Sequence, residues 1–190
     1  MSAGEKIVIS VTALGSCPKK GVLKRSDAKV GDVVAINGVL GRAAAGLRVL
    51  QRGLRAPRVL VDAYRYPTID YAAGVEARKA GAHAMMDISD GLIADLGHMA
   101  RASHVTVDIE TASLRVTEEL TSIASAFGVD PLQWVLTGGD DNVLAATFSP
   151  GTELPPGFYS IGQVREFSDH VVTVDGSPAS EAGGFSHFSA

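Results

Sequence analysis

The sequence predicts an α+β fold in which helices pack on a mixed sheet. Over most of the 190 residues, segments rich in β-branched side chains alternate with helical patterns. Strand-like segments then cluster near the end of the chain, as in folds that combine antiparallel and parallel strands. Hydrophobic residues make up 46% of the chain and charged residues 20%, a composition that can bury a proper core.

Each element is predicted from its local pattern. The predicted strands are KIVISVTALG (6–15), GDVVAIN (31–37), HAMMDIS (83–89), VTVDIE (105–110), NVLAATF (142–148) and a closing pair, YSIGQV (159–164) and VVTVDG (171–176). The predicted helices are GRAAAGLRVLQRGL (41–54), IDYAAGVEARKAGA (69–82), an amphipathic segment that starts at Gly91, and TEELTSIASAFG (117–128). Prolines in RAPRV and YRYPTIDY break or start helices between the first two.

Composition excludes several classes of function. The net charge is -4, and no cluster of Lys or Arg forms a footprint for nucleic acid. The single Cys17 cannot form an internal disulfide and suits a reducing compartment. No apolar run approaches the roughly 20 residues of a membrane span, and the N-terminal residues lack a secretory signal pattern. We therefore expect a soluble, cytoplasmic protein without a nucleic-acid or membrane partner.

The segment DISDG, residues 87–91, places two carboxylates at a strand-to-helix junction. Asp87 closes the strand, and Ser89 or Asp90 opens the helix. Magnesium prefers hard oxygen ligands, and the first turn of a helix offers free N–H groups to a phosphate. Acidic residues are also common as helix caps, where they need no ligand. Spacing alone leaves both interpretations open.

The segment TGGDDNVL, residues 137–144, precedes a predicted strand. Its two glycines are ordinary turn residues, whereas two adjacent carboxylates, Asp140 and Asp141, are less ordinary. A third segment, NGVLGRAAAGL (37–47), has glycines between a strand and a helix but matches neither a P-loop nor a dinucleotide-binding motif. The five histidines have no metal-ligand spacing, and Trp134 is expected in the core.

Taken together, the motifs resemble a known family. VTALG, RSDAKVGDVVAINGVLGRAAAGL, MMDISDGLIADLGHMARAS, VLTGGDDNVLAATF and GGFSHF occur in the order seen in the C-terminal domain of thiamine-monophosphate kinase. The wider superfamily is that of aminoimidazole ribonucleotide synthetase and selenophosphate synthetase. The resemblance implies ATP-dependent phosphorylation of thiamine monophosphate to thiamine diphosphate, with Mg²⁺ as cofactor and a homodimer in the full-length enzyme.

The resemblance also assigns roles to individual residues. Asp87 and Asp90 match magnesium ligands, and Ser89 and Arg25 match residues that contact ATP. Asp140 stands where the family's TGGED motif has a substrate-binding glutamate, and Phe185 matches an aromatic position that contacts the substrate. The resemblance names no catalytic residue. Phosphoryl transfer depends mainly on positioning and charge neutralisation, which clustered aspartates with magnesium supply.

The resemblance implies a division of the chain. We expect residues 1–20 to form the last strand of an absent N-terminal domain plus a linker, and residues 21–190 to form the C-terminal domain. Without the N-terminal half, the chain alone is expected to be inactive. Two alternatives remain open: another ATP-using member of the superfamily, and a non-catalytic module that binds a nucleotide or metabolite.

Overall fold

The computed structural model describes residues 9–12, 14–16 and 22–179. Within these residues seven strands form one sheet. The strands are β1 (Val33–Asn37), β2 (Met85–Ile88), β3 (Thr106–Ile109), β4 (Val143–Phe148), β5 (Phe158–Arg165), β6 (Val172–Val174) and β7 (Ser177–Pro178). The α-helices of the same residues are α1 (Arg42–Gln51), α2 (Arg58–Arg65), α3 (Ala73–Lys79), α4 (Leu92–Ser103), α5 (Glu118–Phe127) and α6 (Pro131–Thr137).

The sheet is mixed, as predicted. Its strand order is β2-β4-β1-β5-β3-β6-β7. The pairs on either side of β1 are antiparallel, as are β2 with β4 and β3 with β5, whereas β3 and β6 run parallel. β2 therefore lies at one edge, and β4 is its neighbour in the sheet although the two strands are far apart in the chain. This pairing joins the two acidic segments of the sequence.

Helices cover both faces of the sheet. Alternate side chains of β1 point to opposite faces, and each set packs in a different core. Val34 and Ile36 belong to the larger core, which also contains buried residues of α1, α2, α4, α5 and α6. Ala35 belongs to a smaller core with Ala73 and Ala77 of α3. The α+β class predicted from the sequence is confirmed.

Some predicted elements differ from the structure. The two strands predicted as a closing pair, β5 and β6, do not pair with each other, because β3 lies between them and pairs with both. The six residues 166–171 that connect β5 to β6 are long enough to cross β3, so no tight hairpin is required. Two helices were not predicted: α2, which starts after Pro57, and α6, which carries Pro131 at its first turn.

The strand predicted at residues 6–15 is not formed in the part that the structure describes. Residues 9–12 and 14 belong to no strand, and the side chains of Ile9, Val11 and Leu14 are exposed. Within residues 9–12, 14–16 and 22–179, no helix has the length and apolar character needed to cross a membrane.

Candidate functional site

The two acidic segments meet at one end of the β2–β4 pair. In this antiparallel pair Ile88 lies opposite Val143, so the residues that follow β2 and those that precede β4 are neighbours. The backbone N–H of Asp140 donates a hydrogen bond to the carbonyl oxygen of Ser89, with an N···O distance of 2.8 Å. We call residues 89–91 the β2–α4 loop and residues 138–142 the α6–β4 loop.

Two glycines permit this close approach. A Cβ on Gly139 would lie 2.6 Å from the carbonyl oxygen of Ser89, and a Cβ on Gly91 would lie 2.8 Å from that of Thr137. Gly91 also has a φ of 127°, a backbone conformation that L side chains rarely adopt. The glycines of DISDG and TGGDD are therefore needed for loop-to-loop packing as well as for turning the chain.

Asp95, in the first turn of α4, organises the β2–α4 loop from beneath. Its Oδ2 accepts hydrogen bonds from the backbone N–H groups of Ser89 and Asp90, both at 2.9 Å, and of Gly91 at 3.2 Å. Asp95 is buried, and desolvation raises the pKa of its carboxyl group, an effect that the three N–H donors partly offset.

The prediction that Ser89 or Asp90 opens α4 is wrong. The N-cap residue is Gly91, the helix begins at Leu92, and Asp95 is the acceptor for the loop N–H groups. Among the described residues, the carboxylates of Asp87 and Asp90 accept no hydrogen bond, so helix capping does not account for either charge.

Asp141 has a comparable role in the α6–β4 loop. Its two carboxylate oxygens accept hydrogen bonds from the backbone N–H groups of Gly41, at 2.5 Å, and Ala43, at 2.8 Å, at the start of α1. Desolvation raises the pKa of the Asp141 carboxyl group to about 6, with the two N–H donors and the positive charge of Arg42 opposing this rise. Asp141 therefore caps a helix about 100 residues away in the chain.

A cavity of about 350 Å³ opens where the loops meet. Its lining combines an acidic residue from each loop and the hydroxyl residue Ser89 with apolar side chains of α1 and a tyrosine of α2. The lining residues are Ala43, Ala44, Leu47, Tyr64, Ser89, Asp90, Gly139 and Asp140. A second cavity, of about 600 Å³, includes Arg42 and Asp141 in its lining, so residues at the start of α1 contribute to both cavities.

The structure brings together three of the six residues singled out from the sequence. Ser89, Asp90 and Asp140 line the smaller cavity. Asp87 is exposed on the edge strand β2, three residues before Asp90, and is not part of that lining. Phe185 lies outside the described residues.

Arg25 lies at the opposite end of α4 from the cavity. Its carbonyl oxygen accepts a hydrogen bond from the hydroxyl group of Ser103, the last residue of α4, at 3.0 Å. A helix of 12 residues is about 18 Å long, so the backbone of Arg25 is far from Ser89. Its exposed side chain is therefore not assembled with the other candidate residues by this domain.

The described residues contain no group of three His, Cys, Asp or Glu side chains placed to hold a metal ion. Asp87 and Asp90 are two carboxylates separated by two residues in the chain. Magnesium is commonly held by one or two carboxylates, with substrate phosphates and waters completing its shell. Two carboxylates without hydrogen-bonding partners in the described structure fit that chemistry, provided that a phosphate supplies further oxygens.

The comparison with protein families shows to which family this chain belongs. The family described as AIR synthase related protein, C-terminal domain, matches residues 29–153. The chain belongs to this family. The matched range of the AIR synthase related C-terminal domain includes both acidic loops, Asp95 and Asp141, whereas Arg25 and Phe185 lie outside it.

Curated relatives have a more specific name. The chain is 40% identical over 182 residues to thiamine-monophosphate kinase of Mycobacterium tuberculosis, an alignment that covers 95% of this chain and 54% of that protein. It is 35% identical over 199 residues to thiamine-monophosphate kinase of Aquifex aeolicus, with 99% of this chain and 61% of that protein covered. The chain thus spans about half the length of the curated relatives it matches.

Solved structures show the same arrangement of this AIR synthase related domain. Thiamine monophosphate kinase from Aquifex aeolicus superimposes with a TM-score of 0.76 at 32% identity, over 83% of this chain and 54% of that chain. A structure described as AaThiL complexed with AMPPCP and TMP gives a TM-score of 0.76 at 33% identity, over 87% and 54%. The hydrogenase maturation protein HypE of E. coli, at 18% identity and a TM-score of 0.66, shares the fold.

Sequence reasoning missed two residues of this site, Asp95 and Asp141. Asp95 left one signal in the sequence: it directly precedes Leu96, a residue of the predicted apolar face of α4, and a buried acid beside such a face needs donors. Asp141 is indistinguishable in the sequence from its neighbour Asp140. Only the contact with α1 separates them.

Proposed function

We propose that this chain supplies the C-terminal half of a thiamine-monophosphate kinase, which transfers the γ-phosphoryl group of ATP to thiamine monophosphate. The observation that carries the proposal is the meeting of the two acidic loops at one cavity, with Ser89, Asp90 and Asp140 in its lining. The curated relatives named for this activity support it, as does the neighbour described in complex with AMPPCP and TMP.

In this proposal Mg²⁺ is the cation that Asp87 and Asp90 bind. When bound, it neutralises phosphate charge, which is the main requirement of phosphoryl transfer. The hydroxyl group of Ser89 donates a hydrogen bond to a phosphate oxygen of ATP, beside the first-turn N–H groups of α4, which have no acceptor within the helix. Arg25 contacts ATP from outside the cavity described above.

Asp140 and Phe185 are assigned to thiamine monophosphate. A carboxylate accepts hydrogen bonds from the aminopyrimidine ring or offsets the charge of the thiazolium ring, and an aromatic ring stacks on either. The proposal further includes a homodimeric full-length enzyme in the cytoplasm, with no nucleic-acid partner. The net charge of -4 and the single cysteine of the sequence are consistent with these expectations.

Ligand titrations of the ¹⁵N-labelled chain test this proposal. We expect thiamine monophosphate, and AMPPCP with Mg²⁺, to shift the amide signals of Ser89, Asp90 and Asp140. Asp90→Asn should weaken the Mg²⁺-dependent binding of AMPPCP by about tenfold or more, because losing a metal ligand should cost at least as much as losing an outer-shell partner of a metal site. Glu153→Gln, at the opposite end of β4, removes the same charge from an exposed position and should have no effect.

The proposal is wrong if neither ligand shifts these signals at millimolar concentration. It is also wrong in its metal assignment if AMPPCP binds equally well with and without Mg²⁺ in both the unchanged chain and Asp90→Asn.

A further inference from the structure

The adjacent carboxylates of the α6–β4 loop have opposite surroundings. Asp140 is exposed and lines the smaller cavity, with a backbone φ of 67°. Asp141 is partly buried, and its carboxylate is bonded to two backbone N–H groups of α1. A motif that looks like a repeated acid in the sequence therefore combines two functions.

Asp141 supplies a cap that α1 lacks locally. The N-cap residue of α1 is Gly41, which has no side chain to accept the free N–H groups and has a φ of 84°. No acidic residue lies in the first turn of α1 either. The carboxylate of Asp141 satisfies two of these N–H groups and lies at the positive end of the helix dipole. The α6–β4 loop and α1 are joined by this contact.

The conformation of Asp140 depends on contacts on both sides of it. A non-glycine residue with positive φ is unfavourable unless neighbouring contacts stabilise it. The N–H of Asp140 donates to the carbonyl oxygen of Ser89, and its own carbonyl oxygen accepts a hydrogen bond from the side-chain amide of Asn142 at 2.8 Å. The next residue, Asp141, connects the loop to α1.

We propose that Asp141 is a positioning residue: by capping α1, it holds Asp140 in the left-handed conformation that places it at the cavity beside Ser89 and Asp90. Asp141 touches no substrate in this proposal and acts through Asp140. The identity of the ligand, thiamine monophosphate, rests on the proposed function, whereas the coupling between Asp141, α1 and Asp140 does not.

Three variants of the chain test the coupling. Asp141→Ala removes both acceptors, and Asp141→Asn keeps one acceptor oxygen. Thr117→Ala is the matched control, because the hydroxyl group of Thr117 accepts the N–H of Leu120 and caps α5 away from the cavity. Each variant is compared with the unchanged chain in melting temperature, in ¹⁵N amide spectra and in affinity for thiamine monophosphate and for AMPPCP with Mg²⁺.

We expect Asp141→Ala to shift the amide signals of Ser89 and Asp140 and to weaken thiamine monophosphate binding by about tenfold, the loss that goes with one hydrogen bond to a charged group. The affinity for AMPPCP should change less. Asp141→Asn should give an intermediate loss, and Thr117→Ala should lower the melting temperature without altering either affinity.

The proposal would be overturned if the amide signals of Ser89 and Asp140 shifted no more in Asp141→Ala than in Thr117→Ala. It would also be overturned if Asp141→Ala were destabilised but bound thiamine monophosphate with unchanged affinity. If the unchanged chain binds neither thiamine monophosphate nor AMPPCP with Mg²⁺, the proposed function is wrong. In that case the amide signals alone decide whether Asp141 positions Asp140.

Discussion

Asp140 and Asp141 are neighbours in the chain, but their carboxylates face solvent and backbone N–H groups respectively. Asp90 and Asp95 divide in the same way across the β2–α4 loop: Asp90 lines the cavity, and Asp95 is buried beneath it. At the scale of single residues, the candidate site thus consists of acids that line the cavity and inner acids that fix the loop backbone. We expect substitutions of these two kinds of acid to have different effects.

Asp95→Ala should destabilise the fold. It leaves the N–H groups of Ser89, Asp90 and Gly91 without their acceptor, and a buried donor without a partner costs on the order of 1–3 kcal/mol. We expect the free energy of unfolding to fall by about 3 kcal/mol in urea titrations followed by the fluorescence of the buried Trp134. Glu118→Ala, in the first turn of α5, is the control and should change it by less than about 1 kcal/mol. A loss equal to that of the control would contradict the assigned role.

Asp141 makes stability depend on pH. Its pKa is about 6 in the folded chain and 3.8 in the unfolded reference, so the folded state binds more protons between these values. Its contribution to stability is therefore greatest below pH 3.8, decreases as the pH rises towards 6, and is constant above that. As the pH falls from 7 to 5, the free energy of unfolding of the unchanged chain should rise by about 1 kcal/mol relative to that of Asp141→Asn.

Urea unfolding of both proteins at pH 5 and pH 7 measures this difference directly. Because Asp141→Asn retains every other titratable group, their contributions cancel in the comparison. If the difference in free energy of unfolding between the two proteins is the same at pH 7 and pH 5, the Asp141 carboxyl group does not titrate in this range.

At the scale of elements, the site depends on the pairing of β2 with β4 and on the close packing of the loops at its end. The N-terminus of α4 approaches the C-terminal end of α6 through Gly91, whose missing side chain leaves room for the carbonyl oxygen of Thr137. The register of β2 with β4 brings the β2–α4 loop and the α6–β4 loop to the same end of the sheet. Gly91 and Gly139 leave room for close contacts there.

Gly91→Ala should therefore disrupt the contact between α4 and α6. Its Cβ would lie 2.8 Å from the carbonyl oxygen of Thr137, so the loops must move apart. Gly81→Ala is a matched control, since Gly81 also has a positive φ, of 85°, but has nothing within 4 Å of the added Cβ. We expect the control to lose about 1–2 kcal/mol of unfolding free energy through backbone strain alone.

Gly91→Ala should lose at least about 2 kcal/mol more than the control, because overpacking is added to the strain. Its amide signals at Ser89 and Asp140 should also shift, whereas those of Gly81→Ala should not. Equal losses in the two variants would indicate that crowding by Thr137 contributes nothing.

At the scale of the whole molecule, the proposed function gives this domain two carboxylates, of Asp87 and Asp90, for a cation and one hydroxyl group, of Ser89, for a phosphate. Phosphoryl transfer requires more neutralising charge than these groups supply, and it requires a second binding surface that orients the reactants from the other side. The 190-residue chain should accordingly bind its ligands without steady turnover of ATP and thiamine monophosphate to thiamine diphosphate. Chromatographic assay of thiamine diphosphate against an enzyme-free blank measures this. Turnover above the blank that Asp90→Asn abolishes would contradict the expectation.

Local patterns were sufficient to predict the α+β class, most strands and four of the helices. These features depend on periodicity and on motifs of a few residues, which are written in contiguous sequence. The same patterns failed for the pairing of β5 and β6, because adjacency in a sheet is set by contacts between distant segments.

Long-range packing decided which acid performs which task. Nothing in TGGDD distinguishes Asp141 from Asp140 until the backbone N–H groups of α1, about 100 residues earlier, are placed beside one of them. Likewise, Asp95 rather than Ser89 or Asp90 receives the N–H groups of the β2–α4 loop, because burial of its side chain requires donors. A carboxylate's role follows from its desolvation and its hydrogen-bond partners, and both are properties of the folded chain.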